Sequence, residues 1–335
     1  MKSLRSTTSL DDKAASVQGA ITAVHDVSEE LLHKSLNEVK DLNKVQLATI
    51  RQLRDDILAL LENQDRKDLD GIRQALGADS YSLTEELRAL EGRKTSVNKE
   101  FHVNYIPGIG FEERLAKVEG DAIFSNWLDS PRSRMLVLAG RNYVAAAAHC
   151  WLSPIAIRLI QKLSRSSPPE LYAFLILGER RADDTFDHTL STLVYRLLSQ
   201  HSEGLRNKAA YDLLLKAIED YRVVRANEPG NRRKVHHALR NVVLRALNTL
   251  EPGRTVWVVL DRVDQCRCAT ETKISHRMAL LKSLLSLVED KETRVKLRVL
   301  AVVNDLAWDV EREKDDFENT EKDSLVIRTF WQSRV

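Results

Sequence analysis

Four short apolar runs, at 135–139, 171–177, 256–260 and 297–303, are separated by stretches of helical periodicity, and no other feature of the sequence restricts the fold as much. A strand that is apolar at nearly every position, rather than at every second one, is covered on both faces, and helices between such strands supply the crossovers that parallel pairing requires. The stretches 154–163, 189–200, 208–225, 234–247 and 276–287 read as those helices. Arg298 interrupts the last apolar run, which suggests a strand nearer the sheet edge or a side chain leaning out at the strand start. No solenoid repeat is visible.

The first hundred residues follow another rule. From 13 to 63 there is no proline and one glycine, and Val24, Val27, Leu31, Leu36, Val39, Leu47, Ile50, Ile57 and Leu61 recur at helical spacing. The stripe slips phase around 42–45 and so holds no unbroken heptad register, which favours a bundle or hairpin over a rod. Ser82, three residues before Glu85, marks a capping box for another helix running to about Arg93. Asn104, Pro107, Gly108 and Gly110 then accumulate and place a junction at about residue 105. The expected fold class is therefore α/β: a helical N-terminal interaction domain over 1–104, then a parallel sheet flanked by helices over 105–335.

Composition excludes several classes. Lys+Arg 51 against Asp+Glu 49 leaves +2 on 335 residues, so no overall field points to nucleic acid or an anionic membrane. Cys150, Cys266 and Cys268 are too few for a disulfide framework, which suits a reducing, cytoplasmic location. No apolar run reaches the length of a membrane span. Lys2 and Arg5 among hydroxyl residues give residues 1–10 a faint transit-peptide character without the apolar core of a signal peptide. The basic stretch Arg222, Arg225, Arg232, Arg233, Lys234, Arg240 and Arg245 lacks stacking aromatics apart from Tyr221, so it reads as a solvated helix face. Cys266 and Cys268 with the distant His276 lack zinc spacing, and adjacent His236 and His237 point to different helix faces. Asp183, Asp184 and Asp187 suit the entry of a helix, and Trp151 with Pro154 suits the packed start of one.

The segment carrying most chemical information is 255–266. An apolar strand ending in Asp261 sets a carboxylate at the carboxyl edge of a parallel sheet, where open α/β folds bind ligands and where P-loop NTPases hold Mg²⁺. With Phe124, Trp127 and Leu128 before the first strand, the run 135–140 ending in Gly140, the strand and helix at 171–198, Asp261 to Cys266, and the strand to Asn304, the order of motifs over 111–304 resembles the NACHT-like P-loop domain of fungal NLR-like (STAND-class) proteins. That resemblance implies a parallel NTPase sheet, ATP or ADP with Mg²⁺ as cofactor, Gly140, Arg141, Asp261 and Asp264 as nucleotide-contacting residues, and Asp261 as the metal ligand. It also implies signalling through protein partners on the N-terminal helices, with homo-oligomers compatible, and no role for nucleic acid or an integral membrane segment.

The departures from the motif bear on activity. Counted from Gly140, the second glycine, the lysine and the hydroxyl of G-x-x-x-x-G-K-[ST] fall on Ala145, Ala146 and Ala147, and Gln265 stands where an acidic residue would activate water. The expectation is an NTPase-derived domain unable to hydrolyse ATP, against two alternatives: an ATPase in which Arg141 replaces the lysine, or a helical oligomerising scaffold that binds no nucleotide. The lid helices, winged helix and repeats that the resemblance implies do not follow within these 335 residues, so a truncated or minimal relative is expected.

Overall fold

The computed structural model describes residues 5–80, 82–103, 110–142, 149–167, 169–178, 185–266, 276–317, 321 and 323–331. Contacts divide the chain into two compact units, Met1–Gln64 and Asp65–Val335.

The described part of the first unit is helical throughout. It belongs to α1, Arg5–Leu76, a helix of 72 residues that continues through 42–45 without a break. The bundle or hairpin expected from the phase slip is thus corrected. A slip in an apolar stripe changes which face is greasy but leaves backbone helicity intact, and no proline intervenes. Local contacts reinforce the helix: Thr22 and Thr49 donate to the Gln18 and Val45 carbonyls, and Lys44 pairs with Asp41 at 3.1 Å. The stripe is not covered, because its apolar residues from Leu10 to Leu61 are between 36% and 69% exposed.

The second unit takes the last turns of α1 and adds α2 (Leu83–Val103), α3 (Phe111–Glu119), α4 (Ala122–Leu128), β1 (Arg134–Arg141), α5 (Ser153–Ser164), β2 (Leu171–Ile176), α6 (Phe186–Gln200), α7 (Lys208–Asn227), α8 (Arg232–Leu247), β3 (Thr255–Asp261), α9 (His276–Val288), β4 (Lys296–Asn304) and β5 (Leu325–Trp331). The serine half of the expected capping box is present, with the Glu85 amide donating to Ser82 Oγ at 3.5 Å. α2 runs ten residues past its expected end because Val97 and Phe101 are buried in the core, and packing overrides weak local propensity there.

All five strands are parallel, in the order β2-β3-β4-β1-β5. Alternate residues of each strand enter opposite cores. Val137, Ala173, Val258 and Val299 face the layer of α6, α8 and α9, whereas Leu138, Phe174, Val259 and Leu300 face the layer of α2 to α5. The chain leaves β1 through α5 on one face to reach β2 at the far edge, then returns to β3 and β4 through helices on the other face. Reversing direction while switching faces keeps every crossover of the same hand. β4 is therefore central, not near an edge. Arg298 is accommodated by reaching past the strand start to donate to the Arg132 carbonyl. Sequence reading left β5 out because Arg328 and Thr329 break its apolar pattern; it is the outer strand, half-buried, paired to β1 from Met135↔Leu325 to Arg141↔Trp331.

Candidate functional site

The connections after β1 and β4 depart in opposite directions, which makes the carboxyl ends of these two strands the topological switch point of the sheet, the usual ligand crevice of open α/β folds. Every candidate residue of the sequence lies on this edge. Gly140 stands opposite Asn304, and Asp261 opposite Val302, so Asp261 lies two strand spacings across from Gly140 and two residues back along the strands, about 12 Å away.

Asp261 ends β3 fully buried, and Ser153 Oγ, in the first turn of α5, donates to its Oδ1 at 2.8 Å. Its Oδ2 is buried with no hydrogen-bond partner. Burial raises the pKa of this carboxyl, opposed by the positive charge of Arg93 on α2, the Ser153 hydrogen bond and the charge of Arg262. Neither Ser153 nor Arg93 was identified from sequence. The signal for Ser153 was its place just before Pro154, which fills the first helical positions of α5; Arg93 carries no motif, since only folding brings α2 to the sheet edge.

Ser153 also changes how the motif counts. Its hydroxyl is the one that reaches Asp261, and counting back from it puts Leu152 at the lysine place and Trp151 at the preceding glycine place. Both are fully buried. The alternative positions Ala145, Ala146 and Ala147 lie outside the described residues. Neither count supplies a lysine.

The glycine that opens the motif has a packing reason of its own. A Cβ on Gly140 would lie 2.6 Å from Cys150 Sγ and 2.9 Å from Leu152 Cγ. Cys150 is buried, its thiol pKa pushed up by desolvation, and its Sγ lies 3.8 and 3.5 Å from the Gly140 and Val303 carbonyls. Asn142 closes the base of the connection: its Nδ2 donates to the His149 carbonyl at 2.8 Å, and its Oδ1 accepts from the Trp151 amide at 3.0 Å. Arg141 leans the other way, 3.7 Å from Asp305 and stacked 4.2 Å from the centre of the Trp331 ring.

Asp264 is saturated. It accepts from Arg262 Nε at 3.1 Å and Nη2 at 2.9 Å, from Gln265 Nε2 at 2.8 Å, and from the Asn304 amide at 2.9 Å. These bonds tie the end of β3 to the end of β4 and hold Arg262 at φ 64°, a left-handed conformation uncommon for a residue with a side chain. Gln265, seated against Gly178 and donating to Asp264, is engaged in structure and is not aimed at a water.

A Ser hydroxyl beside an Asp carboxylate is a plausible donor pair for Mg²⁺. That ion keeps several waters and strict octahedral geometry, and Asp261 has no exposed surface on which waters could stand. By the count from Ser153, buried Trp151 stands where a glycine would leave room for phosphate, and buried Leu152 stands where the lysine would be. The described residues do not fit Mg²⁺-nucleotide, and no catalytic step is drawn through it. Among the described residues no group of three or more His, Cys, Asp or Glu is arranged to hold a metal, and no helix is long and apolar enough to cross a membrane. Cys266 is buried, as expected of a packed thiol, and Cys268 lies outside the described residues. His236 is half-buried and His237 exposed, on different faces of α8.

Compared with known proteins, the chain matches no family model and no curated protein.

Proposed function

We propose that this chain is an NTPase-derived, NLR-like signalling or scaffold protein of the cytoplasm, in which the NACHT-like α/β domain has lost ATP hydrolysis and the N-terminal helix engages protein partners, including further copies of itself. The observation that carries the loss of hydrolysis is the buried Ser153–Asp261 contact, with Trp151 and Leu152 directly before it. Phosphoryl transfer depends on positioning and on neutralising charge, and here the phosphate-facing cation and the room for metal are both replaced by apolar packing. The parallel sheet, with the connection after β1 and Asp261 at one edge, supports descent from a P-loop domain. The exposed apolar stripe of α1 supports partner binding, since monomeric proteins rarely leave long contiguous apolar surface uncovered.

The test is phosphate release together with thermal unfolding in Mg²⁺ and millimolar ATP or ADP. No turnover above background is expected, and no rise in melting temperature that depends on Asp261. Steady hydrolysis, or a nucleotide-induced rise lost in both Ser153→Ala and Asp261→Asn, would refute the reading, because a ligand bound to the native state must raise its stability.

A further inference from the structure

Residues 10–61 of α1 carry most of the exposed large apolar side chains among the described residues. The stripe that breaks a 3.5-residue register holds a 3.6-residue one, that of the helix itself. At about 100° of rotation per residue, Leu10, Val17, Val24, Leu42, Leu53 and Leu60 fall within one band about 100° wide, and no charged residue from 14 to 60 falls on it. The shift at 42–45 widens this band without interrupting it, because Val45 and Leu47 lie on its two flanks while Leu42 and Ile50 stay in line. A band with the period of the helix runs straight along the axis.

Its size and its charges say what covers it. At 1.5 Å per residue the band is about 75 Å long, and with a width of about 10 Å it offers roughly 750 Å² on each helix, or about 1,500 Å² for a pair, which is the area of a specific and stable interface. The charges at its two ends are complementary in reverse. Asp11 and Lys13 stand on opposite flanks at one end, and at the other end Arg54 stands on the flank of Asp11 and Asp56 on the flank of Lys13. When two copies of a helix pair antiparallel, the two-fold axis between them brings each flank against itself with its ends exchanged. Acid then meets base at all four corners.

We infer that α1 pairs with α1 of a second copy of this chain, antiparallel, about a two-fold axis close to residues 33–35. Val17 then comes to the turn of Ile50 and Leu53 of the second copy, and Ser28 and Ser35 meet Val39 and Leu32, small against large. Lys13 faces Asp56 of the second copy and Asp11 faces Arg54. Burial of the band supplies the affinity, and the exposed ion pairs set the direction. In a parallel pair in register Lys13 and Asp56 stand about 65 Å apart and never meet. The inference rests on the reading of α1 as a partner-binding helix and is independent of the Asp261 edge.

Sedimentation velocity and light scattering of the full chain at micromolar concentration test it, with the mass of two chains expected. Val17→Glu/Leu53→Glu is expected to give a monomer; both residues are exposed, so the substitutions leave the core untouched. Lys13→Glu and Asp56→Lys each alter two symmetry-related pairs and are each expected to weaken the dimer roughly tenfold, whereas Lys13→Glu/Asp56→Lys recovers most of that loss. A monomeric natural sequence, a mass above two chains, or a dimer that Val17→Glu/Leu53→Glu leaves intact overturns the inference. So does a double charge exchange no tighter than the single variants. These results are read on mass alone, and the nucleotide reading is read on phosphate release, so either fails without the other.

Discussion

Replacing Gly140 by Ala separates two reasons for a glycine at the end of β1. If the residue is kept small so that a phosphate can approach, an added methyl group costs little in the ligand-free protein. If it is kept small because the chain returns over it, the methyl group must displace its neighbours. The new Cβ would stand 2.6 Å from Cys150 Sγ, 2.9 Å from Leu152 Cγ and 3.0 Å from Leu152 Cδ1. Ordinary carbon contacts lie at about 3.5 to 4.0 Å, so the overlap is about 1 Å on two buried side chains at once. Cys150 cannot easily yield, because its Sγ is lodged against the Gly140 and Val303 carbonyls. The cost therefore sits at the upper end of overpacking, about 3 kcal/mol. In a domain of this size that is about 6 to 12 °C in melting temperature. Thermal and urea unfolding of the full chain, read by tryptophan fluorescence, measure it, since Trp151 is buried beside the change. Cys150→Ala removes the nearest atom, so the double variant is expected to be less destabilised than the sum of the singles, by about 1 kcal/mol. The rescue is partial because Leu152 remains. A change within about 0.5 kcal/mol for Gly140→Ala, or strict additivity in the double variant, refutes the packing account.

Two further outcomes concern titration. Because burial raises the pKa of Asp261 above its ordinary 3.8, its contribution to stability is fully present below that value and is lost as pH rises through the folded-state pKa. Asp261→Asn is thus expected to raise the melting temperature at pH 7, with the gain shrinking as pH falls toward 3.8; a loss of stability at pH 7 that persists at low pH contradicts this. His236 has the opposite sign. Desolvation, with the nearby charges of His276 and Arg232, lowers its pKa from 6.5 to about 4, so its contribution is present above 6.5 and lost as pH falls through that window. Unfolding followed from pH 7 to pH 5 is expected to show a shallower decline in His236→Gln than in the natural sequence, and parallel curves contradict it.

The strands and most helices were legible because their signals are local. The four apolar runs became β1 to β4, and the five helical stretches became α5 to α9 within about three residues at each end. What sequence could not give was whatever depends on distant partners. The extension of α2 rests on Val97 and Phe101 finding a core. β5 is a strand because β1 has an open side for it to pair with, not because 325–331 looks like one. α1 misled in the opposite sense: a broken stripe argues against a continuous interface, and the helix has none among the described residues of 10–61 to satisfy. At the sheet edge, sequence placed Asp261 correctly at the end of β3. It missed that Asp264 is wholly occupied by Arg262, Gln265 and the Asn304 amide, and that a serine thirteen residues after Gly140 meets Asp261. The first follows from the turn after β3 meeting the end of β4, and the second from the length of the connection after β1, neither of which a fixed-spacing motif encodes.

The place of β1 in the sheet has a consequence for how the chain comes to be folded as it is synthesised. Its neighbours are β4 and β5, so Arg134 waits for Arg298 and Met135 for Leu325, and no nearer strand pairs with it. At ribosomal speeds of roughly 5 to 20 residues per second, that delay is on the order of ten to thirty seconds. During this interval the strand that ends in Gly140 is apolar on both faces and open on both edges, while β2 and β3 have already been able to pair. One face of that strand is not left bare in the meantime, because α4 precedes it in the chain and packs against it, with Trp127 in the same core as Leu136 and Leu138.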